Sequence, residues 1–160
     1  MPNFEFPENC KIVQGLACTV GAVAALPSDY VSLKNALRAW AIIMYTDAAG
    51  AAETITPQMD TVVAGGTDTP SAQLHRIWAN EDTATSDLMV EQTAAIVYTT
   101  DGAASNNLIV IEIDPADMGV YDCVRIQSTA IAAADYWTVW FVIQPRYQSA
   151  VINQPSIIID

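Results

Sequence analysis

Along the 160-residue chain, apolar positions recur mostly at every second residue, and clusters of Gly, Pro, Asp and Asn interrupt them at short intervals. A period of two is the mark of a strand, whose side chains point alternately to either side of a sheet. It predicts eight strands, over residues 30–34, 39–46, 53–58, 76–80, 95–99, 107–114, 123–128 and 136–144. Between them lie DAAGAA at 47–52, AGGTDTPS at 64–71, TDGAASNN at 100–107 and DPADMG at 114–119. Each combines residues that accept a positive φ or fix φ, which makes it a turn.

Two of the strands differ in kind. In LIVIEID at 108–114, Ile109, Ile111 and Ile113 share one face while Glu112 and Asp114 share the other, so that strand is half buried. In WTVWFVI at 137–143, Trp137, Val139, Phe141 and Ile143 lie on one face, but Trp140 and Val142 lie on the opposite one. A strand apolar on both faces is expected to be covered twice, by the core and by another subunit or loop. The best candidate for a helix is SDLMVEQTAA at 86–95, with Ser86 as its cap and Leu88 and Met89 as its apolar residues.

Eight short strands with turns between them predict an all-β fold, a two-sheet antiparallel β-sandwich of jelly-roll type. An immunoglobulin-like sandwich is the runner-up, weakened because the cysteines do not bracket a Trp as that fold requires. The length suits one domain. The division expected is an N-terminal arm and lead-in segment over 1–26, a sandwich over 27–147 and a C-terminal tail over 148–160. Phe4 and Phe6 stand between two prolines in the arm, and Ile157, Ile158 and Ile159 close the tail. Apolar residues at termini are buried either on the parent domain or on a neighbour. Together with Trp137 and Trp140 they are the candidate protein-interface residues.

Composition supports folding, with 52% hydrophobic and 15% charged residues. Charge narrows the partners. Six Lys and Arg against 18 Asp and Glu give a net charge of −12, and between residues 39 and 124 Arg76 is the sole base among thirteen carboxylates. Nucleic-acid affinity comes largely from cations neutralising phosphates, so such a surface repels DNA and RNA, and anionic membranes for the same reason. GLACTVGAVAAL at 15–26 is too short to span a bilayer, and Glu5 and Glu8 before it argue against a signal peptide. Cys10, Cys18 and Cys123 fit neither a metal knuckle nor a disulfide scaffold and read as free thiols of a reducing compartment, with a Cys10–Cys18 bridge as the alternative.

The chemistry available is thin. His75 is the one imidazole, four residues after Ser71, and reads as an exposed loop or strand-edge histidine, because a triad needs an orienting carboxylate converging in space. Glu112, Asp114, Asp117 and Asp122 are the densest carboxylates but lack a calcium-loop pattern, and zinc would need several His or Cys ligands. Carboxylate pairs for glycoside hydrolysis cannot be placed by spacing alone. Gly65-Gly66 is followed by no phosphate-binding sequence. Trp40, Trp78, Trp137 and Trp140 all fall within predicted strands, which favours core or interface packing over a sugar platform. No catalytic, cofactor or metal residue is assigned, and a non-enzymatic protein is expected.

DYVSLKN at 29–35, IWAN at 77–80 followed by TATSD at 83–87, and DCVRI at 122–126 before the aromatic last strand resemble the small decoration, or cement, proteins of tailed-bacteriophage capsids. The resemblance covers roughly residues 9–147. It implies a β-sandwich that forms a homo-oligomer, trimer favoured over dimer, on the outer capsid surface, bridging subunits of the major capsid protein against internal pressure. It also implies assembly in the host cytoplasm. A phage tail or neck structural protein and a carbohydrate- or receptor-binding β-sandwich module are the alternatives.

Overall fold

The computed structural model describes residues 9–21, 25–103 and 105–147. Twelve strands follow one another among them: β1 Lys11–Val20, β2 Ala25–Pro27, β3 Val31–Ser32, β4 Ala36–Thr46, β5 Thr54–Asp60, β6 Thr69–Pro70, β7 Ile77–Asn80, β8 Val90–Glu91, β9 Tyr98–Thr99, β10 Asn106–Ile113, β11 Cys123–Ala130 and β12 Tyr136–Pro145. One 3-10 turn, Pro115–Asp117, is capped by the Asp114 carboxylate, which accepts from the Ala116 N–H.

The front sheet runs β1-β12-β4-β10-β7-β8 and the back sheet β2-β11-β5-β6, with β3 also pairing β11 and β9 also pairing β5. Taking β1, β2, β4, β5, β6, β10, β11 and β12 as eight strands in chain order, the front order is 1-8-3-6 and the back order 2-7-4-5. That interleaving is a jelly roll, as the strand pattern predicts. The chain between β6 and β10 is an insertion whose β7 and β8 widen the front sheet.

The core lies between the two inner faces. Ala39, Ala41, Ile43 and Tyr45 of β4 alternate inward, as do Ile109, Ile111 and Ile113 of β10 and Trp137, Val139 and Phe141 of β12. Opposite them sit Ile55 and Met59 of β5 and Val124 and Ile126 of β11. Burying each of the Val, Ile, Met and Phe side chains among them contributes about 1.5–3 kcal/mol. Trp137 meets Tyr45 edge-on, with ring centroids 5.7 Å apart. The Tyr45 hydroxyl is then satisfied by donating to Asp135 Oδ2 at 3.2 Å. Pro57 sits within the back sheet opposite Ile126. It is tolerated there because β9 pairs only Thr54 and Ile55, and β6 only Gln58 and Met59, leaving Pro57 between them.

Every predicted strand overlaps an observed one, and four more exist. The largest is β1, in the segment read as lead-in: it pairs antiparallel with β12, Lys11 opposite Ile143 and Val20 opposite Tyr136, with irregularities on either side of Leu16. At Gly15 a Cβ would lie 2.5 Å from the Phe141 ring, so only glycine lets β1 cross that point. The helix predicted over 86–95 does not form. Ser86 accepts from the Leu88 N–H in a local turn, Leu88 is 67% exposed and so has no apolar face to bury, and Val90–Glu91 pair with β7 instead. Cys10, Cys18 and Cys123 are free, with Cys18 exposed. Along an extended strand Cys10 and Cys18 are roughly 26 Å apart, too far to bridge.

Candidate protein-docking face

The front sheet carries apolar side chains on its outer face as well as its inner one. The parity of β4 that turns Ala39, Ala41, Ile43 and Tyr45 inward turns Trp40, Ile42 and Met44 outward. Register then assembles rows across the strands. Ile12, Val142 and Trp40 are successive partners on β1, β12 and β4. In the next row Trp140, Ile42, Val110 and Trp78 are successive partners on β12, β4, β10 and β7. Met44 and Leu108 pair in the row beyond. Trp40, Trp78 and Trp140 are half-buried, whereas Met44 is 55% and Ile12 45% exposed. Val142 is 7% exposed although its neighbours Phe141 and Ile143 point into the core, so this strand is covered on both faces.

A charged row borders the band. Arg38 of β4, Glu112 of β10, Arg76 beside β7 and Glu91 of β8 alternate in sign across the sheet. Arg38 Nη1 lies 2.7 Å from Glu112 Oε1, Arg76 Nη2 lies 2.9 Å from Glu91 Oε1, and Arg76 Nη1 stands 3.9 Å from Glu112 Oε2. The Arg76 guanidinium sits 4.8 Å over the Trp78 ring, a cation–π contact. An apolar centre rich in Trp with a polar border is the anatomy of a protein-binding surface.

The candidate interface residues separate. Trp140 lies on this face. Trp137, three residues earlier, points the other way and is fully buried, so it is corrected to a core residue; its indole N–H finds no acceptor among the described residues. Phe4, Phe6, Ile157, Ile158 and Ile159 lie outside the described residues.

Other groups of polar side chains are engaged in holding the fold. His75 is buried at 2% exposure, not exposed, though it does bridge to Ala95 at a strand edge. Its Nδ1 is 3.1 Å from the Glu112 carbonyl, and so donates to it, while Nε2 at 3.0 Å takes the Ser71 hydroxyl. This has the form of a serine–histidine pair, but Ser71 is itself 3% exposed, so the pair is packed inside the fold rather than presented on its surface. Burial lowers the His75 pKa, partly offset by the bond to the carbonyl.

Asp47, Glu53 and Asp135 are buried together near Tyr45. Asp135 Oδ1 accepts from the Ala48 and Ala49 N–H groups, Asp47 Oδ1 from Gly50, and Glu53 from the Thr129 hydroxyl. Burial raises the Glu53 pKa against that last bond, and the charges of Asp135 and Asp47 raise it further. Glu112, Asp114, Asp117 and Asp122 do not converge: Glu112 faces the arginines, Asp114 caps its turn, and Asp122 accepts from the Cys123 thiol at 3.3 Å. Burial, then that bond, pushes the Cys123 thiol up to about 12, which leaves it unreactive. Among the described residues no three His, Cys, Asp or Glu are placed to hold a metal ion.

No family model matches the chain, and no curated protein matches its sequence. Among solved structures, the crystal structure of SPBc2 prophage-derived protein YomS is similar over 84% of this chain and 92% of that chain, at 9% identity and a TM-score of 0.46. A TM-score that low leaves too loose a superposition for fold detail, origin or role to be transferred.

Proposed function

We propose that this chain is a structural virion protein that decorates and stabilises a bacteriophage capsid, docking as a homo-oligomer on the outer surface of the major capsid protein and catalysing nothing. The observation that carries the protein-binding part is the outer face of the front sheet. Its half-buried Trp40, Trp78 and Trp140, with Ile42, Met44 and Val110 among them, form a contiguous apolar patch of the kind that on a folded domain is often a binding surface. The capsid is named by the resemblance of DYVSLKN, IWAN and DCVRI to decoration proteins. A net charge of −12 suits an exterior position, away from packaged nucleic acid.

The test is reconstitution. Purified protein added to capsids stripped of accessory subunits should co-sediment at a fixed ratio to the major capsid protein and should raise the particles' resistance to heat and osmotic shock. Failure to bind intact shells, with binding to isolated tails or necks instead, would move the chain to the tail or neck reading. A carbohydrate-binding role is disfavoured by Arg76, whose guanidinium occupies one face of the Trp78 ring. Glycan-array binding lost on Trp78→Ala with the fold intact would restore that role.

A further inference from the structure

We infer that the outer face of the front sheet is the seam between two copies of this chain, packed face to face about a two-fold axis. The inference rests on the reading of the chain as a docking protein and adds the identity of the occupant. Size is the first argument. The apolar band crosses five strands from Ile12 to Trp78 and runs from the row of Trp40 to that of Met44. At about 4.8 Å between strands and about 3.4 Å per residue, with side chains included, its footprint is about 500 Å² per copy. Two such footprints together reach about 1,000 Å², where specific interfaces begin.

Charge is the second argument. At −12, two copies repel over most of their surface. On this face, however, Arg38, Glu112, Arg76 and Glu91 sum to zero and already pair with one another. An approaching copy meets its least repulsive surface here, and it brings a matching apolar centre. A basic partner would gain more on the acidic remainder of the molecule, and a nucleic acid or anionic membrane finds no unpaired cation among these four residues. A face that meets itself closes at two copies. The trimer that the resemblance implies would instead need a heterologous, head-to-tail contact elsewhere on the surface.

Sedimentation velocity of the full chain over about 1–100 µM should show reversible dimers, with Met44→Glu and Ile12→Glu weakening association by at least about tenfold. Both positions are exposed, so circular dichroism should report an unchanged fold. Thr56→Glu, on the outer face of the back sheet, should leave association as it was. Acrylamide quenching of the tryptophans should fall as concentration rises. A monomer at every concentration, or a dimer indifferent to both front-sheet changes, would overturn the seam. So would a monomer whose quenching increases on deletion of residues 148–160, because the chain's own tail would then be the occupant. Shell co-sedimentation run in parallel separates the two readings. Dimers that bind no shell sink the decoration role and leave the seam, and shell binding by a protein that is always monomeric does the reverse.

Discussion

The two sheets of this jelly roll share one core but present opposite outer faces. On the back sheet, β5 turns Thr54, Thr56 and Gln58 outward and β11 turns out Arg125, Gln127 and Thr129. Arg125 organises that surface: Nε donates to Gln58 Oε1 at 2.8 Å, Nη2 reaches Gln127 at 3.3 Å and Asp68 at 3.1 Å, and the guanidinium lies 4.8 Å over Tyr30. Thr54 and Thr99 share a hydroxyl contact at 3.2 Å. Folding requires only the inner faces to be apolar, and the back sheet obeys that minimum. The front sheet exceeds it: among the described residues, the Trp, Ile and Met side chains on its outer face are covered only in part. Such an excess is the part of a sequence that folding alone does not explain.

The sharpest test of the contrast lies within one strand. Trp137→Ala, on the inner face, should lower unfolding stability in urea by about 3–5 kcal/mol, whereas Trp140→Ala, on the outer face, should cost about 1 kcal/mol and act mainly on association. Equal losses would mean that the outer face is a second core. On the back sheet, Arg125→Ala removes the ion pair, the ring contact and two hydrogen bonds, and should cost about 1–2 kcal/mol in the same assay.

Asp60, the last residue of β5, and Glu53, just before its first, should respond to pH in opposite directions. Asp60 accepts from the Thr67, Thr61 and Val62 N–H groups and the Thr67 hydroxyl, which hold its carboxyl at about 2, below the ordinary 3.8. Its contribution is therefore complete above the ordinary value and lost as pH falls through about 2. Asp60→Asn should lower stability at neutral pH and flatten the acid limb of a stability-against-pH curve. Glu53, raised by burial, favours folding most below its ordinary 4.5, and that benefit is lost as pH rises through the raised value. Glu53→Gln should therefore stabilise at neutral pH and change little in acid. The smallest effect is expected at Met44→Lys, within about 0.5 kcal/mol for the isolated chain. A large loss there would show that this face is needed to fold a single copy.

Much of the sandwich was legible because period two survives wherever side chains are large. WTVWFVI reads as two-faced from parity alone, and the structure places Trp137 and Trp140 on the opposite faces that parity assigns. Both had been candidates for an interface, and only burial separates them. The same signal stands in AWAIIMY at 39–45, where Trp40, Ile42 and Met44 occupy the off-parity positions, so the outer face extends beyond β12 onto β4. β1 was hidden for a physical reason. Gly15, Ala17 and Cys18 are too small to alternate visibly, and the glycine is demanded by the Phe141 ring of a strand more than a hundred residues away. β6 and β8 have two residues each, too few to carry any period.

The place of β12 has a consequence for how the molecule comes into being. The front sheet runs β1-β12-β4, so the last of the described strands fills the gap between β1 and β4. During synthesis β10 can pair with β4 as soon as it emerges, but β1 must wait for residues 136–145 before it has its neighbour. Until then two long strand edges and the ring pocket over Gly15 stand open. Closure is a late, long-range event of the sort that slows folding and exposes chains to aggregation. A ribosome stalled short of β12 would therefore carry an unsealed sandwich rather than a slightly shorter one.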